Sequence, residues 1–427
     1  MLSRRRLADV MVTTSGAMTA STFQLFLIAV LAATLIDELG LNRLQIGILG
    51  AVNTGVGAVL APQLGRLADR LGTKRAMVGL LASSGVGLLG TAAAPGFVGL
   101  VAASFVSGFG QGAGNPVTNK LIAEQVPLSQ QNPVMGVKQS GVQFAVFLAG
   151  ATMPASAASF GWRWAVAVSG VLSLGAAVVV AVRQPLPTVP LPAAGGGSPW
   201  MAGTDGADGV SAAEVDEARA AAERAEARRY VRCITLYALL MGLCAGGVTR
   251  FYPLFAVEVL GYSEARAGLA VSVAGATAVV TRVVWAQVVN GRLGLDPALV
   301  AMALGAVATV ACLYLAESGA AWLLWPAVLG VAATVVAWNV VAMLAVIRTV
   351  PREEAGGATG LVLLGFLGGL TVSAPLVGYS VDVFDSYRPA WVALALTALA
   401  SAVVVLGRRP STGGEPVPVP TPEPRTS

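Results

Sequence analysis

Gly65-Arg66-Leu67-Ala68-Asp69-Arg70-Leu71-Gly72-Thr73-Lys74-Arg75 separates two long apolar runs with one carboxylate and four cations. A stretch this short forms no domain, and its charges keep it out of a hydrocarbon interior, so it reads as a polar loop at a membrane surface. Gly65 and Gly72 allow a tight turn between closely packed helices, and Asp69 is placed where a carboxylate can meet the end of a neighbouring helix. The plainer alternative is a basic loop that only orients its two flanking helices.

Outward from this loop the chain is apolar almost everywhere. Of its 427 residues 56% are hydrophobic and 11% charged, and the mean hydropathy is +0.74. That is too few charges for a soluble surface of this size, so an all-α integral membrane protein is expected. There is no histidine, which removes imidazole metal sites and the commonest general base. No catalytic residue, metal site or cofactor is implied, and an enzyme is not expected. The three cysteines, Cys233, Cys244 and Cys312, lie inside apolar runs and imply no disulfide framework. Lys74, Lys120 and Lys138 stand against twenty-four arginines, a composition that points to a GC-rich bacterial genome.

Twelve runs are long enough to span a bilayer, at roughly 20 residues each. They fall at about 16–36, 43–64, 76–93, 97–121, 134–155, 162–182, 231–257, 267–289, 297–315, 320–346, 357–381 and 390–406. The expected units are residues 1–182, a first six-helix half; 183–230, a linker; 231–409, a second six-helix half; and 410–427, a disordered tail. The linker is Pro- and Gly-rich up to about Gly209, then an Ala/Glu/Arg block that reads as a solvated surface helix. With the N-terminus inside, nineteen of the 27 Lys and Arg fall on the inner side, whereas only Arg43, Arg163, Arg266 and Arg388 fall outside. Both termini are therefore expected in the cytoplasm of a bacterial cell, with the chain in the inner membrane. This sorting by side also argues against a nucleic-acid partner; the bilayer is the partner expected, and the chain is expected to be monomeric.

The second half repeats the first. An offset of 224 brings Asn115 onto Asn339, Val126-Pro127 onto Val350-Pro351, Gly136 onto Gly360 and Gly141 onto Gly365. At a slightly smaller offset Asp69 falls near Asn290. Two six-helix halves in parallel repeat, the Gly65–Arg75 pattern G-x-x-x-D-R-x-G-x-K/R-R and the Gly161-Trp162-Arg163 turn together resemble a bacterial transporter of the major facilitator superfamily. The resemblance covers the chain apart from linker and tail. It implies two pseudo-symmetric halves rocking about a central cavity lined mainly by spans 1, 4, 7 and 10. It also implies that Asp69, with Gly65, Arg70, Gly72 and Arg75 around it, docks on the start of span 11 near Gly357 when the cytoplasmic side is closed. The Gly-rich start of span 11, Gly356-Gly357-Ala358-Thr359-Gly360, leaves its free N–H groups open to an anion. Asn290 would make only a weaker contact, so the latch is expected to be one-sided. Arg282, about two turns before Asn290, occupies a place where family members carry a structural Arg, and is expected to pack or gate.

The candidate recognition residues are the polar ones inside spans: Gln24, Gln111, Asn115, Lys138, Gln143, Arg250 and Asn339. Gln111, Asn115 and Asn119 recur every four residues and share one helix face. For each amide the alternative is an interhelical hydrogen bond; for Lys138 and Arg250 it is snorkelling, which is the preferred reading for Lys120. No Asp or Glu lies mid-span, since Asp37, Glu124, Glu258 and Asp382 all fall near ends. A buried carboxylate is the usual proton carrier and cation site, so its absence beside Lys138 and Arg250 favours an anionic or polar solute. The Lys138-Gln139-Ser140-Gly141 opening of span 5 is similar to that of bacterial relatives of cyanate-type anion carriers. Against drug export, Ser104 stands where many proton-coupled exporters carry Arg, and the Gly-Pro signature of span 5 is missing. The expected function is secondary active transport of a small organic solute, an anion or polar metabolite, by alternating access, driven by a substrate, proton or ion gradient. The rivals are a drug or natural-product exporter of the same fold and a transport-inactive membrane receptor or scaffold.

Overall fold

The computed structural model describes residues 4–182, 212–291, 293–350 and 355–408. The predicted tail and most of the predicted linker lie outside them. Among the described residues the chain is helical and without strands: α1 (Arg4–Val30), α2 (Ala32–Leu39), α3 (Arg43–Leu71), α4 (Thr73–Ala93), α5 (Phe97–Gln125), α6 (Leu128–Phe160), α7 (Trp162–Val182), α8 (Ala212–Glu258), α9 (Glu264–Gly291), α10 (Leu295–Ala316), α11 (Leu324–Gly330), α12 (Trp338–Thr349), α13 (Ala355–Phe384) and α14 (Arg388–Leu406). Eleven helices are long and apolar enough to cross a membrane, and α1 with α2 makes a twelfth span bent by 63°. An even number of crossings puts the start of α1 and the end of α14 on one face, the terminal face.

The quoted segment is not a loop of eleven residues. Helix α3 runs on to Leu71 and α4 begins at Thr73, leaving Gly72 as the whole connection. Gly72 has φ +81°, which a residue with a Cβ rarely adopts, and its N–H caps Ala68 O at 3.0 Å. Ala68, 2% exposed, turns one side of this last helical turn into the core, so the charges project from a helix end. Gly65 lies within α3 and makes no turn, and a Cβ there would meet Pro116 of α5 at ordinary contact distance.

Three further departures from the expected spans have tertiary causes. The first span breaks at Leu31 without Pro or Gly; α2 lies over the far face, held by Thr34 Oγ1 donating to Glu264 (2.7 Å) and Trp162 Nε1 donating to Glu38 (2.6 Å). The tenth span widens to a π-helix over Val331–Val335, closed by Val336 N–H to Val331 O. The carbonyls of Ala332 and Ala333 are taken by Thr281 Oγ1 (3.0 Å) and Trp285 Nε1 (2.7 Å) of α9, and such wide turns form where a neighbour competes for the ladder. Helix α8 is continuous from Ala212 to Glu258, joining the charged block to the seventh span without a break.

Helices α1–α7 pack among themselves, as do α8–α14, and the two groups meet along α3 with α13 and along α6 with α9. Close approach at both seams rests on small residues. A Cβ on Gly47 would strike Ala374 and Pro375, one on Gly378 would strike Arg43 and Leu44, and one on Gly275 would strike Phe147.

Candidate functional site

The two groups are locked together on the face opposite the termini. Asp382, in the last turn of α13, accepts from the main-chain N–H of Arg43 (3.2 Å) and Leu44 (2.8 Å) at the start of α3. Free N–H groups and the positive end of the helix dipole make this an anion position. The Arg43 side chain pairs with Glu258 at 3.0 Å and reaches Asp382 at 3.6 Å. Tyr387, 2% exposed, donates its hydroxyl to Glu258 at 2.6 Å. Deeper, Thr371 donates to Thr54 and Ser272 to the carbonyl of Phe147. The polar contacts between the groups seen among the described residues all lie between this face and about mid-membrane.

On the terminal face the corresponding helix ends stand apart. Helices α3 and α13 run antiparallel, with Gly47 level with Ala374 and Gly55 level with Thr371. Continued along both helices, these pairings bring Asp69 level with the start of α13. Yet a Cβ on Gly356, Gly357 or Gly360 would meet nothing, and Asp69 instead accepts from Lys120 Nζ of α5 at 2.9 Å. Lys120 also donates to Ala68 O, and Thr73 donates to Glu124 at 2.6 Å. Arg70 and Arg75 are exposed. The Asn290 side chain lies outside the described residues.

Between these faces lie the predicted recognition residues. On α5, Gly108 and Gly112 face α3, while Gly114 and Thr118 face α1. Gln111 lies against Gly57 of α3, and Asn115 and Asn119 turn toward α6. Lys138 of α6, 3% exposed, donates to Asn115 Oδ1 at 2.9 Å and Asn119 Oδ1 at 2.7 Å. It is therefore a buried ammonium held by two neutral amides. The Gln111 carbonyl oxygen is buried with no partner among the described residues. From the other group, Arg250 of α8 is 4% exposed and donates across the boundary to Leu25 O at 3.2 Å. Its guanidinium fills the space beside Gly50, where any side chain would collide with it. Among the described residues neither Lys138 nor Arg250 has a carboxylate within salt-bridge distance.

The remaining candidates are placed elsewhere. Gln24 points into the first group, donating to Thr91 at 2.7 Å and accepting from Asn53 at 3.5 Å. Gln143 is buried in the wall of α6, beside the α9 contact at Gly275. Asn339 does not mirror Asn115, because its carbonyl oxygen has no partner among the described residues and the position matching Lys138 at offset 224 is Val362. Arg282 is half-buried on α9 with its Nε unpartnered among the described residues. Sequence reading passed over Asn53, which is 0% exposed, and the Arg43–Glu258–Asp382–Tyr387 cluster. The signal for the cluster was present as two span-end carboxylates and one arginine on the face that carries few charges.

The model of the Major Facilitator Superfamily matches residues 13–348. Two solved structures of a bacterial homolog to the human lysosomal transporter Spinster, one inward-facing and occupied and one inward-facing and unoccupied, share the fold. Each superposes with a TM-score of 0.65 at 15% identity, over 95% of this chain and 96% of that chain. No curated protein matches the sequence. A family match over most of the chain, eleven long apolar helices with one further bent pair among the described residues, and two groups of helices closed at one face and parted at the other lead to one assignment: this multi-pass membrane protein belongs to the major facilitator superfamily of secondary transporters.

Proposed function

We propose that the chain carries a small organic anion by alternating access, with Lys138 and Arg250 as the counter-charges, one in each group of helices. The observation that carries this reading is the pair itself: two buried cations, neither with a carboxylate partner among the described residues, where burial of an uncompensated charge is costly unless it serves a ligand or pathway. Asn115 and Asn119 hold Lys138 without neutralising it, so its charge remains available to an incoming anion. The units are residues 1–182 and 231–409, bridged by 183–230 and followed by the tail 410–427. With both termini in the cytoplasm of a bacterial inner membrane, the parted face is the inward one and the state is inward-open. Asp69 then latches onto the α13 start near Gly357 in the outward-open state. The chain acts as a carrier and performs no covalent chemistry.

A ligand-stabilisation screen of the purified protein against organic anions, lipophilic cations and neutral solutes tests this. Anions should raise the melting temperature, and Lys138→Gln or Arg250→Gln should weaken the effective anion by about tenfold or more, the loss of one charge-assisted contact. Stabilisation confined to lipophilic cations and indifferent to both substitutions would overturn the proposal in favour of an exporter.

A further inference from the structure

A furrow of 1660 Å³ runs between α6 and α7, with α1 and α4 as its floor and Gly275, Ala276 and Val279 of α9 at its edge. It exists because α6 and α7 are drawn to different neighbours. Gly85 and Gly170 bring α7 onto α4, where Ser173 Oγ also donates to Leu81 O at 2.8 Å. Gly141 brings α6 onto α1 against Ser15, and Phe147 packs on Gly275 of α9. Along α6 the lining extends from Val137 to Phe160, roughly 35 Å of helix, so the furrow crosses the whole hydrocarbon layer of about 30 Å.

Its chemistry selects for hydrocarbon. Leu81 and Leu88 form a buried floor, and Phe144, Phe160, Trp164 and Leu172 stand exposed along the walls. The hydroxyls of Thr19, Thr152, Ser169 and Ser173 already donate to main-chain carbonyls, which leaves them no donor for a polar ligand. A membrane helix 30 Å long and about 10 Å across displaces roughly 2,400 Å³, more than the furrow holds, so chains fit where a helix does not.

One end carries charge. Leu81 is level with Ser173 on the antiparallel pair α4 and α7. Lys74, seven residues before Leu81 on the same helix face, is therefore level with Val180, which lines the terminal-face end of the furrow. Arg75 follows it. Neither cation has a carboxylate within salt-bridge distance among the described residues, and both sit where the headgroup layer meets the hydrocarbon. We infer that this furrow is a binding site for an anionic phospholipid of the bilayer, its acyl chains along α6 and α7 and its phosphate on Lys74 and Arg75.

The test is native mass spectrometry of the full-length purified protein given phosphatidylglycerol or phosphatidylcholine. The wild type should retain phosphatidylglycerol in preference, and Lys74→Gln with Arg75→Gln should erode that preference by about fivefold per cation. A Cβ on Gly16 meets nothing, so Gly16→Phe with Ala176→Phe puts two rings into the furrow and obstructs the path of an acyl chain, and one retained phosphatidylglycerol should be lost. Undiminished lipid retention in the obstructed variant, or equal retention of both lipids by the wild type, overturns the inference. So does loss of a second copy of the chain instead of a lipid when the furrow is obstructed. If the obstructed variant does not fold, the lysine and arginine variants decide alone: an unchanged headgroup preference then rejects the site.

Discussion

Asp382 caps the N-terminus of α3 in trans, with its two oxygens on the main-chain N–H groups of Arg43 and Leu44 at 3.2 and 2.8 Å. Because α3 and α13 are antiparallel, each helix offers a carboxylate near its own end to the start of the other: Asp382 to α3 on one face, Asp69 to α13 on the other. Only the first contact is made here. In the proposed cycle the pair gives exclusive closure, in which tilting one helix on the other would make one cap as it breaks the other.

Asp382→Asn should loosen the closed face. The amide keeps one acceptor and loses the charge, which is worth about 1 kcal/mol at a helix N-terminus, or about fivefold in the equilibrium. Distances between spin labels at the α3 start and the α13 end should show the separated population rising; an unaltered distribution would count against the cap.

The same cluster carries a pH limit. Burial first, and then the charge and hydrogen bond of Glu258, push the Tyr387 phenol well above its usual value. A group whose folded value is raised contributes stability that is fully present below its unfolded value, about 10, and that is lost as pH rises toward the folded one. Closure should hold through neutral pH and fade above about pH 10, and Tyr387→Phe should flatten that alkaline limb. A limb of the same slope in the variant would remove Tyr387 as its source.

Gly47→Leu tests the seam. A side chain there must enter the space of Ala374 and Pro375, an overpacking of about 1–3 kcal/mol imposed only while this face is closed. The expectation is a shift toward the other state, read as increased labelling of a cysteine introduced at Thr54, with the far-UV spectrum unchanged.

Asp69→Asn should leave stability almost untouched in the state seen here, since the Asp69 side chain is 72% exposed in its pair with Lys120 and such pairs contribute little. Its effect should appear in the balance of states, as loss of the conformer closed on the terminal face. If Asp69→Asn lowers the melting temperature by several degrees and leaves that balance alone, the residue is a brace within the first group and not a latch.

The sequence by itself determined the class of molecule. Apolar runs of about 20 residues, the charge-poor opposite face and the Gly65–Arg75 pattern are local or compositional properties, and the bilayer turns them directly into spans and turns. Lys138 and Arg250 were legible as buried cations because charge inside a span is rare. Their environments were not: Lys138 is cradled by Asn115 and Asn119 from a different helix, and Arg250 fits only because Gly50, two hundred residues earlier, leaves room. Gln24 and Asn339 looked alike as amides within spans, yet one closes a hydrogen-bond chain inside the first group and the other has no partner among the described residues. The bend at Leu31 has no Pro or Gly to announce it, and Gly330 before the π-turn at Val331–Val335 does not by itself specify one; the groups that impose both are Glu264, Trp162, Thr281 and Trp285 on other helices. Which carboxylate caps a facing helix belongs to tertiary structure alone, because Asp69 and Asp382 carry the same charge near the same kind of helix end, and in this structure Asp382 reaches the start of α3 while Asp69 pairs with Lys120.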